Sequence, residues 1–328
     1  MKKIKFRLRL LGAIALCLAV GMCACLMTAC RPDEDRSDEN SKEIVCTTYA
    51  AYDWTRSLLQ LAGDTSTFRV SMLSKGADMH SYQPTVADIV KLREADLFVY
   101  VGGVSEAWVS SVLTSGGQAS ASNALGLISL PGMQLLHTAE DHQALHGGQE
   151  AYDEHVWLSL ENASVCSRAI AEKLAQLAPE KAQDYQAAAE AYAARCNDLQ
   201  AEFQAALTGA VTKKVVVADR FPFRYLTEPY GIEVTAAFAG CEADAEIGFH
   251  TLPTLIDAVK ETGLRYIIVT ETSDQTLAKA VAESSGISQI QILIMDSMQS
   301  PGRENRESYL SVMEKNLSVL LQALGCER

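Results

Sequence analysis

Histidine is the side chain to follow in this sequence. Four of the six histidines fall in one stretch, His137, His142, His146 and His155, mixed with Gly147-Gly148 and the acids Glu140, Asp141, Glu150, Asp153 and Glu154. Neutral imidazole is the commonest metal ligand, and a His-rich tract is a compositional metal signal. His137, His142 and His146 lie in an acidic loop suited to weak, transient capture of a metal. An ordinary solvated loop is the competing reading. His155 sits in the more ordered-looking Asp153-Glu154-His155-Val156-Trp157 and reads as a fixed ligand. A second turn-rich segment, Gly76 to Pro84, carries His80. Three acids, Asp219, Glu271 and Asp296, follow apolar runs that end at Ala218, Thr270 and Met295. Two imidazoles and a few carboxylates make a credible set for zinc, and manganese tolerates the same oxygen share. His250, beside Phe249 at a helix start, is not expected to ligate.

These residues need a scaffold that brings distant segments together. Strand-like runs at Ile44–Tyr49, Phe68–Leu73 and Asp96–Val101 alternate with helical spacings over Tyr52–Leu61 and Thr85–Ala95, where Val86, Ile89, Val90 and Leu92 form an apolar stripe. Continuous apolar runs suit a parallel sheet covered on both faces. The same alternation returns after residue 209, with strands at Lys214–Ala218, Ile232–Phe238, Tyr266–Thr270 and Gln289–Met295 and helices at Leu252–Thr262, Asp274–Ser285 and Asn305–Leu324. Between them Ser159–Leu177 reads as a helix. From Pro179 to Leu207 the residues Tyr185, Tyr192, Cys196, Leu199, Phe203 and Leu207 recur at helical steps among Ala, Gln and Glu, and Gly209 ends the pattern. A helix of that length, about 40–45 Å, can span two lobes. The fold expected is two α/β, Rossmann-like lobes joined by one long backbone helix, with a cleft between them. Acids just past strand ends then face that cleft, since ligands of open α/β sheets bind beyond the carboxyl ends of the strands.

The amino-terminal region reads as a targeting segment. Lys2, Lys3, Lys5, Arg7 and Arg9 precede an uncharged apolar run from Leu10 to Ala29, and Cys30 follows small residues. That is a secretory signal, and its junction resembles a bacterial lipobox that would lipidate Cys30. A transmembrane anchor is the alternative. The parts expected are a signal peptide (1–29), a charged linker (30–42), a first lobe (43–178) carrying the histidine loop at 137–152, the linking helix (179–208) and a second lobe (209–328). Without residues 1–29 the 28 Lys and Arg fall by five, to 23, against 41 Asp and Glu. Such a surface argues against nucleic acid as partner. The remaining cysteines, Cys46, Cys166, Cys196, Cys241 and Cys326, are scattered and form no C-x-x-C pair, which favours buried small side chains over a disulfide framework or a cysteine zinc site.

The motifs together resemble the metal-binding solute-binding lipoproteins of bacterial ABC importers for zinc and manganese. Met79-His80-Ser81-Tyr82-Gln83-Pro84 is similar to that family's first ligand loop, usually Pro-His-Ser-Tyr-Glu-Pro. Asp153-Glu154-His155-Val156-Trp157-Leu158 is similar to its second, usually Asp-Pro-His-Val-Trp-Leu. Ile294-Met295-Asp296-Ser297 resembles the strand end bearing its carboxylate. The acidic His-bearing loop is like that of zinc-type members. The resemblance implies capture of Zn²⁺ as transported ligand, with Mn²⁺ as an alternative, and delivery to an ABC permease by a monomer anchored at the cell membrane. It implies no catalysis. An adhesin of the same fold is an alternative, and a secreted zinc hydrolase ranks lower because no His-Glu-x-x-His helix is present. The family's third histidine lies in His-x-Ala-Phe-x-Tyr. Here the segment is Ala218-Asp219-Arg220-Phe221-Pro222-Phe223-Arg224-Tyr225. Arginine cannot ligate a cation. Asp219 is therefore the preferred substitute, with Arg220 turned to pair a carboxylate. Alternatively Asp219 pairs Arg220, and water or Glu271 completes the shell.

Overall fold

A computed structural model describes residues 41–73, 78–114, 122–137, 152–238, 248–263, 265–299 and 307–326. Cys30 and the signal and linker segments before residue 41, His142, His146 and Cys241 lie outside the described residues. Among the described residues no helix is long and apolar enough to cross a membrane.

The first lobe is built on β1 (Lys42–Cys46), α1 (Tyr49–Leu61), β2 (Phe68–Met72), α2 (Val86–Glu94), β3 (Leu97–Tyr100), α3 (Trp108–Thr114) and β4 (Ala124–Gly126). Its sheet is parallel with order β2-β1-β3-β4. Two long helices follow, α4 (Leu160–Leu177) and α5 (Ala182–Leu207). The second lobe repeats the plan: β5 (Lys214–Val217), α6 (Arg224–Thr227), β6 (Glu233–Ala236), α7 (Thr251–Thr262), β7 (Tyr266–Thr270), α8 (Thr276–Ser284), β8 (Gln291–Met295) and α9 (Tyr309–Ala323). Its parallel sheet has the same order, β6-β5-β7-β8.

Strand residues alternate between two cores, as a period of two requires. Ile44, Cys46, Leu97, Val99, Val215, Val217 and Ile268 point into one apolar cluster common to both lobes. Val45 and Phe98 face a separate cluster under α2 and α3. Val216, Ile267 and Val269 face another under α7 and α8. Both faces of each sheet are buried, which is why the strands read as unbroken apolar runs.

The 26 residues of α5 extend about 39 Å. Pro179–Lys181 forms a separate 3-10 turn, so the helix proper starts three residues later than the spacing predicts. Its buried face carries Tyr185, Ala188, Ala189, Tyr192, Ala193, Cys196, Leu199, Phe203 and Leu207. The alanines on that face let α4 pack along it. α5 also touches α1 of the first lobe and α9 of the second. Tyr309, at the start of α9, donates its backbone N–H to Asp53 of α1 (2.8 Å) and its hydroxyl to the Trp157 carbonyl (2.7 Å).

Elsewhere the elements depart from the expected ones. Thr85 caps α2 in a full capping box with Asp88. However, the expected apolar stripe does not bury as a unit: Leu92 is inside, whereas Val86 and Val90 are 79% and 47% exposed. Helices α3 and α6 and strand β4 had no clear sequence signal, being three to seven residues long. Cys46, Cys166 and Cys196 are buried and free, Cys326 is free and partly exposed, and burial pushes the Cys46 and Cys196 thiols up to about 12 and about 11. These thiols are inert at neutral pH.

Candidate metal centre

In each sheet the chain turns from one side to the other at the middle pair of strands, β1/β3 and β5/β7, where open α/β sheets bind ligands. His80 follows β2, Ser105 and Glu106 follow β3, Asp219 follows β5, Glu271 follows β7, and Asp296 to Gln299 follow β8. His155 enters just before the 3-10 turn Val156–Leu158.

The two histidines meet. Their Nε2 atoms are 3.2 Å apart, and their rings lie 5.2 Å between centroids at 52°. Two imidazole nitrogens sharing a tetrahedral zinc at 2.0–2.1 Å would stand about 3.3 Å apart. The other nitrogen of each ring is held by a carboxylate. His155 Nδ1 is 2.7 Å from Asp153 Oδ1, which also accepts the His155 backbone N–H at 3.0 Å. His80 Nδ1 is 2.7 Å from Ser105 Oγ and 3.1 Å from Glu154 Oε1. The Ser105 hydroxyl donates in turn to Glu154 Oε1, and the Ser105 backbone N–H donates to Oε2 at 3.0 Å. A carboxylate accepts only, so these partners place the ring proton on Nδ1 and leave Nε2 as an acceptor. That tautomer is the one a metal needs, and a carboxylate behind a ligating histidine orients it and raises its basicity.

Asp153, Glu154 and His155 are each over nine-tenths buried. Burial opposes the charge on Asp153, yet His155 and Arg224 hold its carboxyl below the usual range. Burial likewise opposes ionisation of Glu154, and the His80 bond, the two imidazoles and Ser105 outweigh it. Gly103 is obligatory here. It has φ +95°, and a Cβ would lie 2.6 Å from Glu154 Oε2. Glu106, buried behind this turn, accepts the Gly102 N–H, and burial pushes its carboxyl up to about 7.

The second lobe grips this cradle from outside. Trp157 Nε1 donates to the Ser297 carbonyl at 2.9 Å. Tyr225 OH donates to the Asp153 carbonyl at 2.9 Å and accepts the Leu136 N–H at 3.1 Å. Arg224 Nη1 is 3.6 Å from Asp153 Oδ2 and donates to the His137 carbonyl at 2.7 Å. His137 forms a bridge with Tyr152, their rings 4.8 Å apart, and does not join His80 and His155.

The acids expected to ligate are bonded within their own lobe. Asp219 Oδ2 accepts the Thr270 N–H (3.1 Å) and hydroxyl (2.8 Å), while Oδ1 accepts the Arg220 N–H (2.8 Å). Arg220 does pair a carboxylate, Asp78, at 3.6 Å. Glu271 accepts both the Ser297 N–H and its hydroxyl at 2.8 Å; burial, then the charge of Asp296, pushes its carboxyl up. Asp296 Oδ1 accepts the Met298 N–H at 2.8 Å. Among the described residues no three His, Cys, Asp or Glu side chains stand close enough to hold a metal together. Gln299 reaches both imidazoles from the second lobe. Its Nε2 is 2.5 Å from His155 Nε2 and 3.2 Å from His80 Nε2. Sequence reasoning passed over Gln299 because a neutral amide carries no metal signal. Asp153 and Glu154 could have been found, since acids one and two residues before a histidine are in reach of its ring.

Residues 44–323 match the family model described as zinc-uptake complex component A, periplasmic. The chain belongs to that family. Among members of the zinc-uptake component family and their relatives, it is 30% identical over 313 residues to the zinc-binding lipoprotein AdcA of Streptococcus pneumoniae, covering 94% of this chain and 61% of AdcA. It therefore spans about three fifths of the length of that relative. It is 26% identical over 314 residues to the high-affinity zinc uptake system protein ZnuA of Bacillus subtilis, covering 93% of this chain and 96% of ZnuA. Among solved structures it superposes on Zn(II)-bound AdcA of S. pneumoniae with a TM-score of 0.69 at 27% identity, covering 88% of this chain and 58% of AdcA. The metal-dependent lipoprotein YcdH of B. subtilis gives 0.70 at 25% identity, covering 87% and 99%. The two-lobe α/β fold is that of these two solved structures.

Proposed function

We propose that the chain captures Zn²⁺ outside the cytoplasm and hands it to an ABC permease. The observation that carries this reading is the pair of Nε2 atoms 3.2 Å apart, each ring backed by a buried carboxylate. Histidines that serve packing alone have no reason to converge their Nε2 acceptors on one point, each with its Nδ1 fixed by a buried acid. His80 and His155 are the fixed ligands. Asp296 and its neighbour Glu271, three residues or one strand away from Gln299, supply the negative charge of the second lobe. Asp219 secures the end of β7 through Thr270. The relatives' names, zinc-binding lipoprotein and zinc uptake protein, support zinc over manganese.

No chemistry is done on the ion. Imidazoles of the first lobe and the negative charge of the second bias the lobes toward one arrangement when zinc is bound, and a permease distinguishes loaded from unloaded protein by that arrangement. Residues 1–29 act as the signal, Cys30 carries the lipid and residues 30–42 form the tether. His137, His142 and His146 gather zinc near the site without being required for it.

The test is a zinc titration against a chromophoric chelator. His80→Ala and His155→Ala should each abolish tight binding, and deletion of 138–151 should spare it. If neither histidine substitution weakens zinc binding, the reading is wrong. Cys30→Ala should move the protein from the membrane fraction to the soluble one.

A further inference from the structure

We propose that Gln299 is a built-in competitor of the cation, a neutral side chain that occupies the metal-binding lone pairs of His80 and His155. The inference rests on those two histidines being the ligands. Both Nδ1 atoms face carboxylate-bearing partners, so both Nε2 atoms are acceptors. A carboxamide NH₂ has two N–H groups and no lone pair to give. Gln299 Nε2 lies within 3.2 Å of both ring nitrogens, so two donors meet two acceptors. An imidazole nitrogen has one lone pair, in the ring plane. It can accept a hydrogen bond or ligate a metal, but cannot do both.

The placement of Gln299 is not incidental. The residue is 7% exposed, and it follows a turn fixed at several points. Glu271 holds both the N–H and the hydroxyl of Ser297. The Ser297 carbonyl accepts Trp157 Nε1, and the Ser297 hydroxyl accepts the Gln299 N–H at 3.4 Å. Asp296 and Asn316 exchange bonds at the turn's other end, 2.9 Å in each direction. The turn thus delivers one carboxamide from the second lobe onto two imidazoles of the first. Zinc must displace it, and in doing so breaks one of the ties between the lobes. The affinity of the site is therefore set below what its donors alone would give, which suits a protein that has to surrender its cargo.

Two measurements test this. In chelator-competition titrations with zinc, Gln299→Ala should bind about tenfold tighter than the wild-type protein, the loss of two net hydrogen bonds that zinc no longer has to break. A Gln299→Ala affinity equal to or weaker than wild type overturns the proposal, and a weaker one makes Gln299 a ligand instead. In the wild-type protein, the side-chain NH₂ resonances of Gln299 should be protected from solvent exchange without metal and become freely exchanging at one equivalent of zinc. Resonances unchanged by zinc also overturn it. Loss of zinc binding in His80→Ala with no gain in Gln299→Ala defeats this inference alone; wild-type protein that binds no zinc defeats the functional reading beneath it.

Discussion

Two acids of the first lobe face imidazoles, whereas three of the second bond hydroxyls and backbone N–H groups at its strand ends. Asp153 and Glu154 spend their oxygens on His155, His80 and Ser105. Asp219, Glu271 and Asp296 spend theirs on Thr270, Ser297 and Met298. Strand order and sheet direction are the same in both lobes, so the topology does not explain the difference. It lies in the loops. The first lobe holds its two imidazoles in fixed orientation and tautomer, whereas the second uses the same residue types to fix the turns that press on them.

The comparison can be broken or sharpened by substitution. The largest effect is expected at the imidazoles: His155→Ala should cut zinc affinity by more than about a hundredfold, above what loss of a supporting residue alone costs. Removing the support comes next. Asp153→Asn and Glu154→Gln should each weaken zinc about tenfold to a hundredfold with little change in Tm. The same titration that leaves them at wild-type affinity would make the two lobes equivalent.

Glu106 is a first-lobe acid that supports the turn instead of a ring, and it should show its cost in a pH profile. Its carboxyl is raised from 4.5 to about 7. A raised folded pKa means that its contribution to stability is complete below about pH 4.5 and is lost as pH rises through 7. Glu106→Gln should therefore be more stable than wild type at pH 8, by an amount on the order of 2 kcal/mol, and show little of that gain at pH 4.5. Thermal melts at the two pH values decide it. The smallest effect on binding is expected at Asp219. Asp219→Asn should lower Tm by weakening the Thr270 bonds, a loss of about 1 kcal/mol, while zinc affinity shifts less than about threefold. A large affinity loss would return Asp219 to the ligand set.

The fold was largely legible because its strands are buried on both faces. Runs such as Leu97-Phe98-Val99-Tyr100 and Tyr266-Ile267-Ile268-Val269-Thr270 have no polar side to hide them. The long helix was legible from its periodic aromatic and alanine face. Short elements such as Trp108–Thr114 were not, because seven residues hold too few turns to show a period. His80 and His155 could be paired across 75 positions only through motif resemblance. Asp219, Glu271 and Asp296 looked available because each follows a strand. Their engagement with Thr270, Ser297 and Met298 is tertiary or turn geometry, which a linear pattern does not carry. Gln299 was invisible for a different reason: its importance comes wholly from where Ser297 and Glu271 put it.

The bridge between His137 and Tyr152 has a consequence for how this protein can vary. Positions 137 and 152 lie side by side, and Tyr225 bonds to Leu136 and Asp153 next to them. Two anchor positions that are already adjacent stay adjacent whatever the number of residues between them. Changes of length between residues 137 and 152, a reporter sequence included, should therefore leave both lobes folded.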